Sequence, residues 1–139
     1  AGGAFYVDAV CRTPDPFEDD QALYFDSGEG TVVLLGCAHA GVVNVLRYVR
    51  HLTGGRPIHA VLGGMHLLNA SSERLARTVE GLGELGAPRL GPMHCTGTEA
   101  VAALWSAFPG RCLPCGAGSR VEFDGGAGTA SRTRPPGEV

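Results

Sequence analysis

The chain contains 139 residues and carries a net charge of −3 at neutral pH, with 44% hydrophobic and 18% charged residues. This length corresponds to one small domain, and the composition is that of a globular chain rather than a disordered one. The acidic balance argues against nucleic acid or an anionic membrane surface as a partner. We find no signal-peptide pattern and no apolar run of the roughly 18 residues that would cross a bilayer, so we expect a soluble, cytoplasmic protein.

The first half of the chain predicts three strands followed by a helix. Strands are indicated at residues 4–10 and 21–25 and by the apolar run 31–35, with turn signals between them. After Gly41 the hydrophobic pattern takes the period of a helix, which ends at the glycine pair that begins with Gly54. The predicted inner face of this helix carries Val42, Val45, Leu46, Val49 and Leu52.

The second half repeats the alternation of strand and helix. A short apolar strand is predicted at residues 58–62, and another near residues 89–91. Between them, Ser71 or Ser72 is a favourable N-cap for a second helix, which stops at Gly86. Its predicted inner stripe consists of Leu75, Val79, Leu82 and Leu85.

A third helix and a tail complete the predicted order of elements. Thr96 and Glu99 have the spacing of a capping box, and the helix that follows is expected to turn Val101, Leu104, Trp105 and Phe108 inward. A last strand is predicted at residues 120–123, before a tail at 124–139 that we expect to be disordered. Strands that alternate with helices in this way predict an α/β fold for residues 1–123.

A Gly-x-x-His motif follows each of three predicted strands, and its histidines are His39, His66 and His94. Ligands bind at the carboxyl ends of the strands in an α/β sheet. Because neighbouring strands are about 4.8 Å apart, the three imidazoles should lie within roughly 5–10 Å of one another. Neutral imidazole is a common metal ligand, so the motif predicts a shared metal site. The remaining histidines, His51 and His59, are interpreted as surface or structural residues.

Two thiols and a carboxylate flank the predicted edge. Cys37 is a candidate ligand because a thiolate binds zinc well, whereas Cys95 is interpreted as a small structural residue. Asp20 could bind the metal directly, orient a ligating imidazole, or simply belong to an acidic turn.

The other cysteines support a separate hypothesis. The chain has five cysteines, and without a secretory signal they favour reduced or metal-binding thiols over a disulfide framework. Cys112 and Cys115 have the spacing of a redox or zinc pair, but no second pair completes a four-thiolate site. A thiol-redox domain built on these two residues is therefore one hypothesis for the function of the chain.

Four segments together resemble one branch of the metallo-β-lactamase superfamily. This branch includes the synthase that joins a dihydropterin to ribofuranosylaminobenzene phosphate, along with many metal-dependent hydrolases. The segments occur in order along the chain, at residues 19–23 (DDQAL), 33–41 (VLLGCAHAG), 63–67 (GGMHL) and 93–97 (MHCTG).

The resemblance implies an αββα sandwich with one or two divalent metal ions, usually zinc, at one edge of the sheets. It implies that His94 is the last metal-ligand histidine of the family and that Cys37 or His39 is the ligand after the middle strand. It further implies that His66 is a histidine of the same site. The substrate would be a small molecule, such as a phosphate ester or a pterin.

The family's first-half motif, His-x-His-x-Asp-His, occurs nowhere in the sequence. The resemblance therefore implies the C-terminal half of the domain, and an exposed sheet face would favour a dimer or a complementing N-terminal half. Besides the thiol-redox hypothesis, the sequence is consistent with two other functions. One is a metal-dependent hydrolase or synthase-like transferase, incomplete in this chain and weak or inactive by itself, and the other is a non-catalytic metal-binding or assembly domain.

Overall fold

The computed structural model describes residues 5–86 and 88–125 and contains one four-stranded sheet with three helices. The strands are β1 (Ala22–Ser27), β2 (Gly30–Leu35), β3 (Ile58–Gly64) and β4 (Arg89–Met93). The helices are α1 (Val42–Leu52), α2 (Ser72–Glu84) and α3 (Thr98–Ala107), and a short 3₁₀ turn, His94–Thr96, precedes α3. The predicted α/β fold with alternating strands and helices is confirmed. No described helix is long and apolar enough to cross a membrane.

The sheet has the order β1-β2-β3-β4, so the strands lie side by side in the order of the chain. β1 and β2 form an antiparallel hairpin, in which Tyr24 is opposite Val33. β2, β3 and β4 are parallel, and α1 and α2 provide the connections between them. Because these three strands run in one direction, their carboxyl ends meet at one edge of the sheet.

The main core lies between the parallel strands and the helices. Helix α1 contributes its apolar stripe, including Leu46, which is fully buried. Helix α2 begins at the predicted N-cap, where the Ser71 hydroxyl accepts a hydrogen bond from the Arg74 amide at 3.2 Å. Side chains of all three helices and of β2, β3 and β4 meet in this core; among the fully buried ones are Val33, Val61, Met65, Leu82, Leu90 and Leu104.

The chain after α3 packs first beside β4, where Cys112 contacts the edge of this core, and then against β1. Cys112 forms a bridge with Leu90 of β4, and the Phe123 ring packs against Phe25 of β1 at 6.1 Å between centroids. Val32 and Ala60, which are not part of the helix-side core, are 0% exposed. The centre of the sheet is thus covered on both sides. The exposed large apolar side chains of the described residues lie mainly in the loop at residues 5–10 and on β1.

The predicted strand at residues 4–10 is wrong for the described residues 5–10. This segment forms a loop with a single bridge between Tyr6 and Pro14. The Asp8 carboxylate accepts hydrogen bonds from the backbone N–H groups of Val10, Arg12 and Thr13, at 2.6–3.1 Å. An aspartate that captures its own backbone in this way replaces the ladder hydrogen bonds of a strand. These hydrogen bonds hold the pKa of the Asp8 carboxyl below its ordinary value, and the bond from the Arg12 amide has the largest effect.

Three further local predictions fail near the end of the fold. Residues 120–123 are irregular and do not form a strand. The Thr96 hydroxyl points inward instead of capping α3, whose N-cap is Gly97. On α3, Trp105 is 44% exposed rather than inward. Of the expected disordered tail, residues 126–139 lie outside the described residues, and the Asp124 carbonyl accepts a hydrogen bond from Gly28.

Candidate metal centre

The three Gly-x-x-His motifs lie at the ends of β2, β3 and β4, as the sequence predicts. The motif Gly36–His39 follows β2, whereas the other two begin in the last residues of β3 and β4 and place their histidines after the strands. Each histidine follows a parallel strand whose neighbours fix its position, and all three occupy the same edge of the sheet. His66 and His94 have φ angles of 48° and 53°, and Ala38, next to His39, has 55°. Left-handed conformations of non-glycine residues are uncommon and cluster at functional sites.

A glycine permits the close approach of the three strand ends. A Cβ atom on Gly64 would lie 2.5 Å from the Gly36 carbonyl oxygen, 2.7 Å from the Cys95 sulfur and 3.1 Å from the His94 ring. The Gly64 amide also donates a hydrogen bond to that Gly36 carbonyl, at 3.0 Å. The absence of a side chain here lets the groups of the site come together.

Cys37, His94 and Cys95 form a cluster in which one ligand atom of each lies within 4.8 Å of the others. The Cys37 sulfur is 3.2 Å from the His94 Nε2 atom. The Cys95 thiol approaches the Cys37 carbonyl oxygen at 3.6 Å. Two sulfurs and an imidazole nitrogen are a soft donor set of the kind that zinc prefers. Three protein ligands would leave one position of a tetrahedral ion open, as in catalytic zinc sites.

A second group of side chains joins the other two histidines. The ring centroids of His39 and His66 are 4.7 Å apart, with the planes nearly perpendicular at 84°. The centroids of Phe5, Phe17 and His39 are 5.3–5.4 Å from one another, and Phe5 also lies 5.5 Å from His66. Phe5 therefore covers both imidazoles with an apolar ring brought in by the loop that Asp8 organises.

Hydrogen bonds tie the loops of the site together. One oxygen of Asp20 accepts a hydrogen bond from the Ala40 amide at 3.0 Å, which holds the loop that carries His39. The Thr96 hydroxyl is 0% exposed; it donates to the Met93 carbonyl at 2.7 Å and accepts from the Met65 amide at 3.2 Å. Thr96 thus joins the loop after β3 to the turn after β4.

Burial favours the neutral forms of two groups of the site, the Cys37 thiol and the His66 imidazole, through their pKa values. Burial raises the pKa of the Cys37 thiol, and its hydrogen bond with Cys95 and the charge of Asp20 raise it further. Burial also lowers the pKa of His66, and the nearby His39 acts in the same direction. The Nδ1 atom of His66 is buried and has no hydrogen-bond partner among the described residues. A neutral imidazole with an unpartnered nitrogen and a soft donor set beside it fit a divalent metal ion.

The structure sorts the predicted site residues into two groups. His94 and Cys37 form one group, and His39 and His66 form the other. Asp20 lies near both, since its charge raises the pKa of Cys37 in the first group and of His66 in the second. Cys95 joins the first group, although the sequence analysis interpreted it as structural.

The remaining candidate residues lie apart from this cluster. His51 is exposed on α1, and the Nε2 atom of His59 lies 3.2 Å from a carboxylate oxygen of Glu29. Burial raises the pKa of both Cys112 and Cys115. A raised pKa is the opposite of what a reactive redox thiol requires.

The chain is similar to several known proteins, although no family model matches it. It is 30% identical over 109 residues to the 7,8-dihydropterin-6-methyl-4-(β-D-ribofuranosyl)-aminobenzene-5′-phosphate synthase of Methanocaldococcus jannaschii. This alignment covers 78% of the present chain and 37% of the synthase. It is 34% identical over 93 residues to an uncharacterized protein of the same organism, covering 67% of this chain and 33% of that protein. The crystal structure of a metal-dependent hydrolase of the β-lactamase superfamily matches with a TM-score of 0.74 and 38% identity, over 80% of this chain and 43% of that one.

This likeness in sequence and structure confirms the resemblance: the chain has the fold of part of a metallo-β-lactamase-superfamily domain. Within the superfamily, its relatives include a metal-dependent hydrolase and a pterin-linked phosphate synthase. The chain spans between a third and a half of the length of these relatives.

Proposed function

We propose that this chain carries part of the active site of a metal-dependent hydrolase or of a synthase-like transferase that acts on a small molecule. The observation that carries the proposal is the cluster of Cys37, His94 and Cys95 at the carboxyl ends of parallel strands. The names of the relatives favour a phosphate ester or a pterin as the substrate. A bound divalent ion, which we expect to be zinc, would supply Lewis acidity that polarises a carbonyl or phosphoryl oxygen.

The chain's own residues would hold and shape this site. Cys37 and His94, with a sulfur-to-nitrogen distance of 3.2 Å, would bind the ion, and Cys95 lies close enough to complete the set. His39 and His66 would bind a second ion or contact the substrate, since the Nδ1 atom of His66 is buried without a partner among the described residues. Asp20 would keep the His39 loop in place through its hydrogen bond to the Ala40 amide.

The complete activity is proposed for an assembly larger than this chain. The alignments cover 37% of the synthase and 43% of the hydrolase, and the sequence has no His-x-His-x-Asp-His motif. We propose that the missing ligands come from a complementing N-terminal half or from a second copy of the chain. A metal site formed here would then be one half of a composite site.

Metal content measured by plasma mass spectrometry tests the proposal directly. The purified chain is expected to hold about one divalent ion per molecule and to lose it in the Cys37→Ala and His94→Ala variants. Cys11→Ala and His51→Ala are the matched controls, because both of these side chains are exposed and lie outside the cluster. They should retain the ion, and circular dichroism should show that all four variants are folded.

Hydrolysis assays separate the enzymatic function from a structural one. Phosphate esters and other activated esters would be tested with the chain alone and with the upstream half of a full-length relative added. Metal that survives Cys37→Ala and His94→Ala would refute the proposed site. Metal that is bound at the cluster but never supports turnover, with the other half present, would favour the non-catalytic metal-binding or assembly domain.

A further inference from the structure

The two thiols of the candidate metal centre lie within reach of each other. Cys37 follows β2 and Cys95 lies in the 3₁₀ turn after β4, and their sulfur atoms are within 4.8 Å of one another. Because the sulfur–sulfur bond of a disulfide is about 2.05 Å long, the two atoms would have to approach by less than about 3 Å. A change of side-chain rotamer moves a sulfur atom by about this distance.

This approach depends on the strand between the two cysteines. Strands β2 and β4 both pair with β3, so groups at their ends would ordinarily be two strand spacings apart, or about 10 Å. Gly64, at the end of β3, has no side chain, and a Cβ atom there would lie 2.7 Å from the Cys95 sulfur. Cys95 therefore reaches across the end of β3, where its thiol lies 3.6 Å from the Cys37 carbonyl oxygen.

A small oxidant can reach this pair of thiols. Cys37 and Cys95 are half-buried, and His94 beside them is exposed. Any part of the domain that lies outside this chain must leave a catalytic metal centre open to its substrate. Hydrogen peroxide is smaller than any phosphate ester or pterin, so a site that admits the substrate also admits the peroxide.

The other cysteines do not combine these features. Cys11 is exposed in the N-terminal loop, and Cys112 and Cys115 follow α3 and lie beside β4. None of these three belongs to the cluster of possible metal ligands in the described residues. Only for Cys37 and Cys95 would a disulfide also change the donor atoms of the candidate metal centre.

We propose that Cys37 and Cys95 form a reversible disulfide when the chain is oxidised, and that this modification switches the candidate metal centre off. The disulfide removes two of the three donors in the cluster and leaves the His94 imidazole alone. This inference rests on the proposed function for the statement that the disulfide regulates a metal centre. Formation of the bond itself requires only the two thiols.

A peroxide is the oxidant that the chemistry requires. A thiol that coordinates a metal ion is deprotonated, and the thiolate is the form that reacts. One thiolate attacks an oxygen atom of hydrogen peroxide, the O–O bond breaks and hydroxide leaves, so that this sulfur becomes a sulfenic acid. The second thiolate attacks that sulfur, the S–S bond forms, the S–O bond breaks and a second hydroxide leaves.

The step balances with the peroxide alone. Two electrons pass from the two sulfurs to the peroxide, and two protons from the solvent convert both hydroxide ions to water. A dithiol reductant reverses the change by thiol–disulfide exchange, in which it becomes the disulfide itself.

Peptide mass spectrometry of the peroxide-treated chain tests the pairing. The chain has no lysine, so trypsin cleaves after arginine and places Cys37 in peptide 13–47, Cys95 in peptide 90–111, and Cys112 with Cys115 in peptide 112–120. Free thiols are blocked with iodoacetamide before digestion without reductant. Peptides 13–47 and 90–111 should appear linked, two hydrogens lighter than their sum, and dithiothreitol should separate them.

Metal release, followed with a zinc-binding dye, tests the regulatory role. About one ion should leave for each disulfide formed, because a disulfide offers no thiolate to the metal, and dithiothreitol should restore binding. In Cys95→Ser the link should be absent, and Cys37 should instead accumulate as sulfinic acid, which dithiothreitol does not reduce. Cys112→Ser is the matched control and should form the link, release the metal and recover it as the unaltered chain does.

The outcomes separate failure of this inference from failure of the proposed function. A chain that binds metal but shows no link between Cys37 and Cys95, or only a link between Cys112 and Cys115, would overturn the inference and leave the metal centre standing. Metal that stays bound after the link has formed would overturn the switch. A chain that forms the link but never holds metal would refute the proposed metal centre and, with it, the regulatory role of the disulfide.

Discussion

The two edges of the sheet differ in how the chain surrounds them. At the ends of β3 and β4 the residues are buried: Gly63 and Gly64 in β3, Met65 just after it, and Gly91 and Pro92 within β4. On β1, by contrast, Leu23, Tyr24 and Phe25 are 43–71% exposed. The parallel strands are enclosed by helices on one side and by the chain after α3 on the other, whereas β1 pairs with β2 alone among the described strands.

The two regions therefore offer different environments. Metal ligands must be held within a fraction of an ångström, which favours a position among buried parallel strands. The candidate metal centre lies there, at the carboxyl ends of β2, β3 and β4. The exposed apolar side chains of β1 lie on a strand that pairs with β2 alone among the described strands.

Truncation of one leucine in each region should show the difference most strongly. Leu90 in β4 is 0% exposed, so Leu90→Ala should lower the free energy of unfolding by about 2–5 kcal/mol, the usual cost of a cavity in a core. Leu23 in β1 is 71% exposed, and Leu23→Ala should change the free energy of unfolding by less than about 0.5 kcal/mol. Urea denaturation of both variants measures the difference. Similar losses in the two would contradict the view that β1 is a free edge.

The next largest effect is expected where the strand ends are closest. Gly64→Ala places a methyl group 2.5 Å from the Gly36 carbonyl oxygen and 2.7 Å from the Cys95 sulfur. It should cost about 1–3 kcal/mol through overpacking and should also release the metal. Gly83→Ala is the control, because Gly83 is in α2 with nothing within 4 Å of the new methyl group. This change should stabilise the chain by up to about 1 kcal/mol, and calorimetry with metal analysis would compare the two.

A smaller loss is expected from the buried hydroxyl that joins β3 to β4. Thr96→Val keeps the shape of the side chain but leaves the Met65 amide without its 3.2 Å partner. An unpaired buried N–H group should cost about 1–2 kcal/mol and loosen the loop that carries His66. Thr98→Val, at an exposed position nearby, should have almost no effect. Hydrogen exchange at Met65 that is no faster in Thr96→Val would show that the hydroxyl does not hold this loop.

The sequence predicted the edge with the histidines because that edge depends on local rules. Apolar strands, helical periods and the three Gly-x-x-His motifs are all visible in the chain, and the motifs lie where parallel strands end. The sequence did not reveal that Cys95 lies in one cluster with Cys37 and His94. Adjacent residues such as His94 and Cys95 usually point apart, but the 3₁₀ turn with φ of 53° at His94 brings both toward Cys37.

The N-terminal loop shows why other parts could not be predicted. The apolar residues at 4–10 indicate a strand, but the Asp8 carboxylate accepts hydrogen bonds from three backbone N–H groups, and the described residues 5–10 form a loop. The position of Phe5 over His39 and His66 depends on this loop and on contacts between residues far apart in the chain. Periodicity carries no information about such contacts.

The smallest effect on stability is expected from replacing Phe5, whose ring packs against His39 and His66. Phe5 is 41% exposed, so Phe5→Ala should lower the free energy of unfolding by only about 0.5–1.5 kcal/mol, the value of its ring contacts. Its main effect should be on access, because the Phe5 ring shields the imidazoles of His39 and His66 from water. Modification by diethyl pyrocarbonate, mapped by peptide mass spectrometry, should become several times faster at these two histidines and stay unchanged at the exposed His51.

Val7→Ala provides the matched control for the loop itself. Val7 is 62% exposed in the same loop, and its replacement should leave the rate of histidine modification as in the unaltered chain. If Val7→Ala accelerates the reaction as much as Phe5→Ala does, the loop as a whole, and not the ring, protects the imidazoles. If neither variant changes it, the histidine pair is open to solvent. A selective effect of Phe5→Ala would show that the Phe5 ring itself, and not the loop as a whole, limits access to His39 and His66.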